Sequence, residues 1–241
     1  LLLGRLQLRD HLQVGALHPR IVIDEAGLVE THPWPGGGFF VENPGWLGGG
    51  TVAWACALLG LDGGPALDGL AAAAPAGAEG VSFLPALGGA MAPTWHSGAR
   101  GALYGLAPGH GRPVVARAVL EGCAFAARDV VDRLADLGVA TDELVLCGGG
   151  AASALWAQIH ADVTDRPVTV AADAGDACGL GAATLAAVAA GIAPDLAGAI
   201  ARRPPGADRH EPRGVDRAAC DDGYARYRAL FAALSPLFGP R

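Results

Sequence analysis

The chain contains no lysine: all 17 of its basic residues are arginine. That absence excludes the lysine-bearing phosphate loop GxxxxGK[ST], the lysine of protein kinases and any Schiff-base mechanism. Phosphate chemistry would have to rest on backbone N–H groups, hydroxyls or a metal. Serine is scarce too. The four serines, at 82, 97, 153 and 235, include no G-x-S-x-G elbow, which argues against a serine hydrolase. No apolar run reaches the roughly 18 residues of a membrane-spanning helix. The opening Leu1-Leu2-Leu3 is too short for a secretory signal and is interrupted by Arg5 and Arg9. The five cysteines (56, 123, 147, 178 and 220) form no C-x-x-C and read as small buried hydrophobes in a reducing cytoplasm. A formal charge of −7 argues against nucleic acid or an acidic membrane surface as partner.

What is present is apolar and ordered. With 241 residues, 51% of them hydrophobic, the chain can bury a substantial core. Leu12 to Leu17, Arg20 to Asp24 and Phe39 to Glu42 read as short strands, with Thr31 to Gly38 (THPWPGGG) as a loop. Gly48-Gly49-Gly50-Thr51 precedes a first helix over Val52 to Leu59, and a shorter helix is expected at Leu67 to Ala74. Strands follow at Val81 to Leu84 and Gly101 to Leu106. The longest helix is predicted over Pro113 to Leu137, with Val115, Val119, Gly122, Ala126, Val130, Leu134 and Leu137 on one stripe. Arg128/Asp132 and Asp129/Arg133 are expected to pair four apart on its wetter sides. Pro204-Pro205-Gly206 opens a linker, and Asp216 to Leu234 reads as a closing helix with Tyr224, Tyr227, Phe231 and Leu234 inward. Strands followed by alternating helices and strands are α/β ordering.

One stretch is richer than the rest. Leu144 to Cys147 is a short apolar strand that empties into Gly148-Gly149-Gly150. Ser153 is placed to cap the next helix, which carries Leu155, Trp156 and Ile159. A second strand at Pro167 to Val170 and a small-residue helix opening at Gly179-Leu180-Gly181 complete the stretch. A strand that ends in glycine before a helix brings bare N–H groups to the tip of a sheet, where nucleotides bind. From these residues alone a plain glycine turn with a serine cap stays open beside a nucleotide site. The contiguous glycines do not form the G-x-G-x-x-G of a dinucleotide enzyme. Asp173 and Asp176 read as a solvated loop, and no metal site is expected.

The stretch from Leu144 to Gly191 resembles the adenosine-side motif of the FGGY family of carbohydrate kinases. A second part of that family's pattern lies in Gly101-Ala-Leu103-Tyr-Gly105-Leu106, a seven-residue spacer, Val114, Val115 and Ala118-Val119-Leu120-Glu121. Val114 departs from it, because the family has a polar residue there. Phe83-Leu-Pro85, Ala92-Pro93-Thr-Trp95, Gly122-Cys123-Ala-Phe125 and Arg128-Asp129 extend the likeness, which is greatest for the xylulokinase-like branch.

The resemblance implies an α/β, actin-like ATPase (ribonuclease H-like) domain, a mixed sheet with helices on both faces. Its expected core includes Val115, Val119, Phe125, Val130, Leu144, Leu146, Ile159, Val163, Val168 and Leu185. Residues 12–237 would be the C-terminal, nucleotide-side domain, residues 1–11 an unmatched leader, and the N-terminal kinase domain would be absent. Gly49, Gly148, Gly149, Gly150 and Ser153 are the implied nucleotide contacts, with ATP as cofactor and Mg²⁺ arriving through it. Glu121 reads as a buried hydrogen-bond acceptor. The family's catalytic aspartate would lie before this chain; Arg9-Asp10-His11 stands where its Gly-Thr-Ser phosphate turn belongs, and Asp10 is too close to the strand to be that base. The chain is therefore expected to be inactive alone, to meet a sugar only with an N-terminal domain, and to be able to form a homodimer. The alternative is a non-catalytic kinase remnant or oligomerisation module.

Overall fold

A computed structural model describes residues 11–172, 174–200 and 208–239 of the protein. The leader Leu1 to Asp10, Asp173 and the Pro204-Pro205-Gly206 linker lie outside the described residues. β1 (His11–His18), β2 (Glu30–Pro33) and β3 (Phe39–Leu47) form an antiparallel sheet of order β1-β3-β2. Leu12, Val14 and Ala16 alternate toward the core, as a half-buried strand requires.

Two expectations about this sheet change. Arg20 to Asp24 stays outside the ladder, and Glu30–Pro33, which overlaps the stretch Thr31 to Gly38 read as loop, takes the place beside β3. Asp24 is the physical reason. Its carboxylate accepts the backbone N–H groups of Ala26, Leu28 and Val29 and the guanidinium of Arg133, turning the chain before a strand can pair.

α1 (Gly49–Leu59) starts three residues earlier than the sequence suggests, and α2 (Gly64–Ala71) follows with Pro65 in its first turn. β4 (Ser82–Leu84) and β5 (Ala102–Tyr104) pair as antiparallel neighbours. α3 (Arg112–Asp136) then runs through the middle of the molecule. It touches α1, α2, β1, β4, α4 and α7 and is buried on nearly every side, not on one stripe. Val114 is buried where the family pattern has a polar residue, and Val115 is only partly covered. Arg128 pairs with Asp132 at 3.4 Å. Asp129 and Arg133 do not pair with each other. Asp129 is buried, accepting from Tyr224 Oη at 2.6 Å and Arg228 Nη1 at 2.8 Å, while Arg133 turns to Asp24.

The last third alternates. β6 (Leu144–Leu146), α4 (Ala154–Thr164), β7 (Val168–Val170), α5 (Ala177–Ala189), α6 (Leu196–Ile200), β8 (Asp208–His210) and α7 (Arg217–Leu234) follow in order. β6 and β7 are parallel, as the sequence suggests, and β8 joins β7 antiparallel. Val119, Phe125, Val130, Ile159, Val163 and Val168 are buried; Leu144 and Leu146 are half-buried. Leu185 is not in the core, being 49% exposed. No residue of α5 is buried, because this helix of small side chains packs chiefly on α6. Tyr227 and Phe231 face inward on α7, with Tyr224 and Leu234 partly covered. No helix of the described residues is long and apolar enough to cross a membrane.

Candidate nucleotide-binding site

β6 delivers the chain to Gly148, whose φ of +86° lies where side chains are strongly disfavoured. The Gly148 N–H donates to the Ala174 carbonyl at 2.6 Å, which ties this turn to the loop after β7. Gly149 to Ala152 make one turn of 3₁₀ helix. Gly149 is exposed, and a Cβ built on it would meet no atom within 4 Å. Nothing in the fold requires glycine there, but bare backbone faces open surface. Gly150 differs. A Cβ there would stand 2.8 Å from the Trp156 ring, so packing excludes a side chain.

Ser153 has extended backbone and caps α4, its Oγ accepting the Trp156 N–H at 2.9 Å. The Trp156 indole is buried and donates through Nε1 to the Leu120 carbonyl of α3 at 3.2 Å. The glycine turn is therefore braced from below by a tryptophan bonded to the central helix.

The second glycine run is built by close approach. A Cβ on Gly48 would come 2.6 Å from Leu12 Cβ, and Gly45, at φ +96°, crosses over the Leu12 carbonyl. Only bare backbone lets β3 turn into α1 over β1. Thr51 Oγ1 donates to the Leu47 carbonyl beneath that turn. Trp54 stacks on Phe83 with centroids 5.6 Å apart, so α1 also braces an aromatic against the layer under α3. Gly49 is the first residue of α1. The two runs thus stand at helix N-termini beside different sheets. Among the described residues no hydrogen bond joins them. The close approach at Gly45 and the Ala174 carbonyl behind Gly148 escaped the sequence reading; Pro44-Gly45 inside β3, where the pairing with β1 shifts register, carried the only signal for the first.

Other polar groups serve the scaffold. Glu121 is buried and accepts Arg117 Nε at 2.6 Å and the Gly77 N–H at 2.9 Å, the acceptor role expected of it. Burial pushes its carboxyl up in pKa, against the opposing pull of Arg117. Cys56, Cys123 and Cys220 are buried, with burial pushing Cys123 and Cys220 up to about 12. Cys147 and Cys178 are exposed beside the glycine turn and at the start of α5, contrary to the reading of all five as core. Both strand-exit and helix-entry positions face outward. Among the described residues no cluster of three or more His, Cys, Asp or Glu could hold a metal ion.

Residues 34–190, which contain both glycine runs, match the C-terminal domain model of the FGGY family of carbohydrate kinases. The chain belongs to that family. It is 37% identical over 186 residues to a xylulose kinase of Escherichia coli K12, covering 76% of this chain and 38% of that protein. A gluconate kinase from Lactobacillus acidophilus superposes with TM-score 0.82 at 26% identity, over 95% of this chain and 47% of that one. A glycerol kinase from Plasmodium falciparum, solved with ADP, shares the fold with TM-score 0.76 at 22% identity, over 93% of this chain and 46% of that one. The fold is thus the actin-like ATPase fold of FGGY kinases. The chain spans under half the length of each of these relatives.

Proposed function

We propose that this FGGY chain is the nucleotide-side half of an ATP-dependent, xylulokinase-like sugar kinase that phosphorylates a hydroxyl of a ketose or polyol. One observation carries the reading. At Gly148 to Gly150 the turn is braced from below by Trp156, and a Cβ on Gly149 would meet no atom, which leaves bare backbone open to a ligand at a strand exit. That cradle fits an adenosine group lying against Gly149, with Ser153 and Gly49 as further contacts. The family kinship supports ATP as the nucleotide. On this reading Mg²⁺ arrives with the nucleotide, bound to its phosphates.

In such kinases an aspartate takes the proton of the attacking hydroxyl, while positioning and charge stabilisation carry phosphoryl transfer. This chain's own residues bind and orient the nucleotide. The proton-accepting aspartate and the sugar contacts belong, on this reading, to the part of the relatives' length that the chain does not span. Taken alone, residues 1–241 are expected to bind adenine nucleotide and release no ADP from it with xylulose or glycerol present. ADP release should be measured for the chain alone and after adding the N-terminal half of a relative. Turnover by the chain alone overturns the half-kinase assignment. Nucleotide binding without turnover in either mixture favours the non-catalytic remnant, and a second copy of the chain in place of the missing half would appear as a dimer in light scattering.

A further inference from the structure

The stretch read as a strand at Arg20 to Asp24 has a second property. Residues 21–24 run without a bend or turn, and Thr31 Oγ1 of β2 donates to the Val22 carbonyl at 2.6 Å. Backbone groups alternate sides along an extended chain, so with the Val22 carbonyl aimed at β2 those of Ile21 and Ile23 aim away from it. Among the described residues, neither the N–H nor the C=O of Ile21 or of Ile23 makes a hydrogen bond. The side chains follow the same alternation. Val22 packs against the core, whereas Ile21 is 63% and Ile23 78% exposed. Natural edges of this kind are blunted by lysine, proline or inward charges. Here two isoleucines stand in their place.

The free groups are complementary to themselves. Laid antiparallel on a second copy and centred on Val22, the stretch sets Ile21 of one copy opposite Ile23 of the other. Those are the residues whose N–H and C=O both face outward, so each such pair can exchange both of its N–H···O bonds. A shift of one residue would set outward groups against inward ones. The isoleucines of both copies then share one face as cross-strand neighbours. The same register brings Arg20 of one copy alongside Asp24 and Glu25 of the other. Arg20 and Glu25 are exposed, and neither has an ion-pair partner among the described residues.

We infer that residues 20–24 are an interaction surface for a second copy of this chain, the two copies joining edge to edge through Ile21 and Ile23. A segment that pairs with itself gives a closed two-fold dimer and not an open fibre. Two short edges bury far less than the roughly 1,200–2,000 Å² of a stable complex, so this dimer is weak and forms only at high concentration. The surface lies on neither glycine turn, and the inference does not depend on the nucleotide reading.

The test is sedimentation velocity of the full chain in reducing buffer, from about 1 µM to about 500 µM. The average mass should rise with concentration toward twice that of the monomer. The double variant Ile21→Arg/Ile23→Arg sets like charges directly opposite each other and should weaken association at least about tenfold. Both side chains are exposed, so its thermal unfolding should match that of the unmodified chain. Amide exchange by NMR reads the register. At the high concentration the Ile21 and Ile23 N–H groups should exchange several-fold more slowly, while the Val22 N–H keeps its rate. A monomer at every concentration overturns the inference. A dimer of equal affinity in the double variant overturns it too, because the contact would then lie on another surface.

Discussion

Trp156 lies so close beneath Gly150 that a single added methyl would sit 2.8 Å from its ring, whereas the same methyl on Gly149 would touch nothing. Two adjacent glycines therefore have different reasons to be glycine. Gly150→Ala should destabilise the fold by about 1–3 kcal/mol through overpacking, while Gly149→Ala should leave stability unchanged. Urea denaturation of both variants checks this, and equal midpoints would show that the turn relaxes around Trp156.

Ser153 caps α4 through a single 2.9 Å bond to the Trp156 N–H. Ser153→Ala should cost about 0.5–2 kcal/mol, and Ser153→Asp should retain most of the stability. If Ser153 also touches the nucleotide, Ser153→Asp should weaken ADP binding although the helix remains capped. Unchanged binding would confine the serine to its capping role.

Ile159 is fully buried on α4, while Leu146 is half-buried on a strand with no second partner strand among the described residues. Ile159→Ala should cost about 2–5 kcal/mol, and Leu146→Ala clearly less, because an edge strand collapses or rehydrates more easily than a core. Chemical denaturation of the pair gives the order directly. A larger loss at Leu146 would mean that β6 is a central strand in solution.

Burial holds the His160 imidazole below its ordinary pKa of 6.5, only partly opposed by its bond to the Trp156 carbonyl. The unfolded chain takes up a proton near pH 6.5 that the folded chain refuses. This contribution to stability is therefore present above 6.5 and is lost as pH falls toward the lower folded value. Glu121 and Asp129, pushed up by burial, act with the opposite sign, so the informative quantity is a difference. His160→Gln cannot titrate, and its stability should fall less than that of the unmodified chain between pH 7.5 and about 5.5. Parallel pH profiles would show that His160 does not govern this range.

The long helix, the parallel β6–β7 pair and the Ser153 cap were legible in the sequence because each is encoded locally, by periodicity, glycine or a capping residue. The residues that misled were decided by distant partners. Arg20 to Asp24 has the β-branched run of a strand, but Arg133, over a hundred residues away, helps hold Asp24 in a turn. Asp129 has the spacing of a surface ion pair, yet α7 covers it with Tyr224 and Arg228. Leu185 sits on an apolar helix that the fold leaves uncovered. At the candidate site the glycines were visible as letters. What each one does depends on Leu12 and Trp156, whose approach no local pattern announces.

The central claim is that the Gly148 to Gly150 turn holds adenine nucleotide, and a calorimetric ADP titration of the chain and of Gly149→Val tests it most directly. The account predicts saturable binding to the unmodified chain. Binding should be lost in the variant, whose fold should survive because nothing lies within 4 Å of the added side chain's first carbon. Equal ADP affinity in the two proteins, or no binding to the unmodified chain, would contradict it.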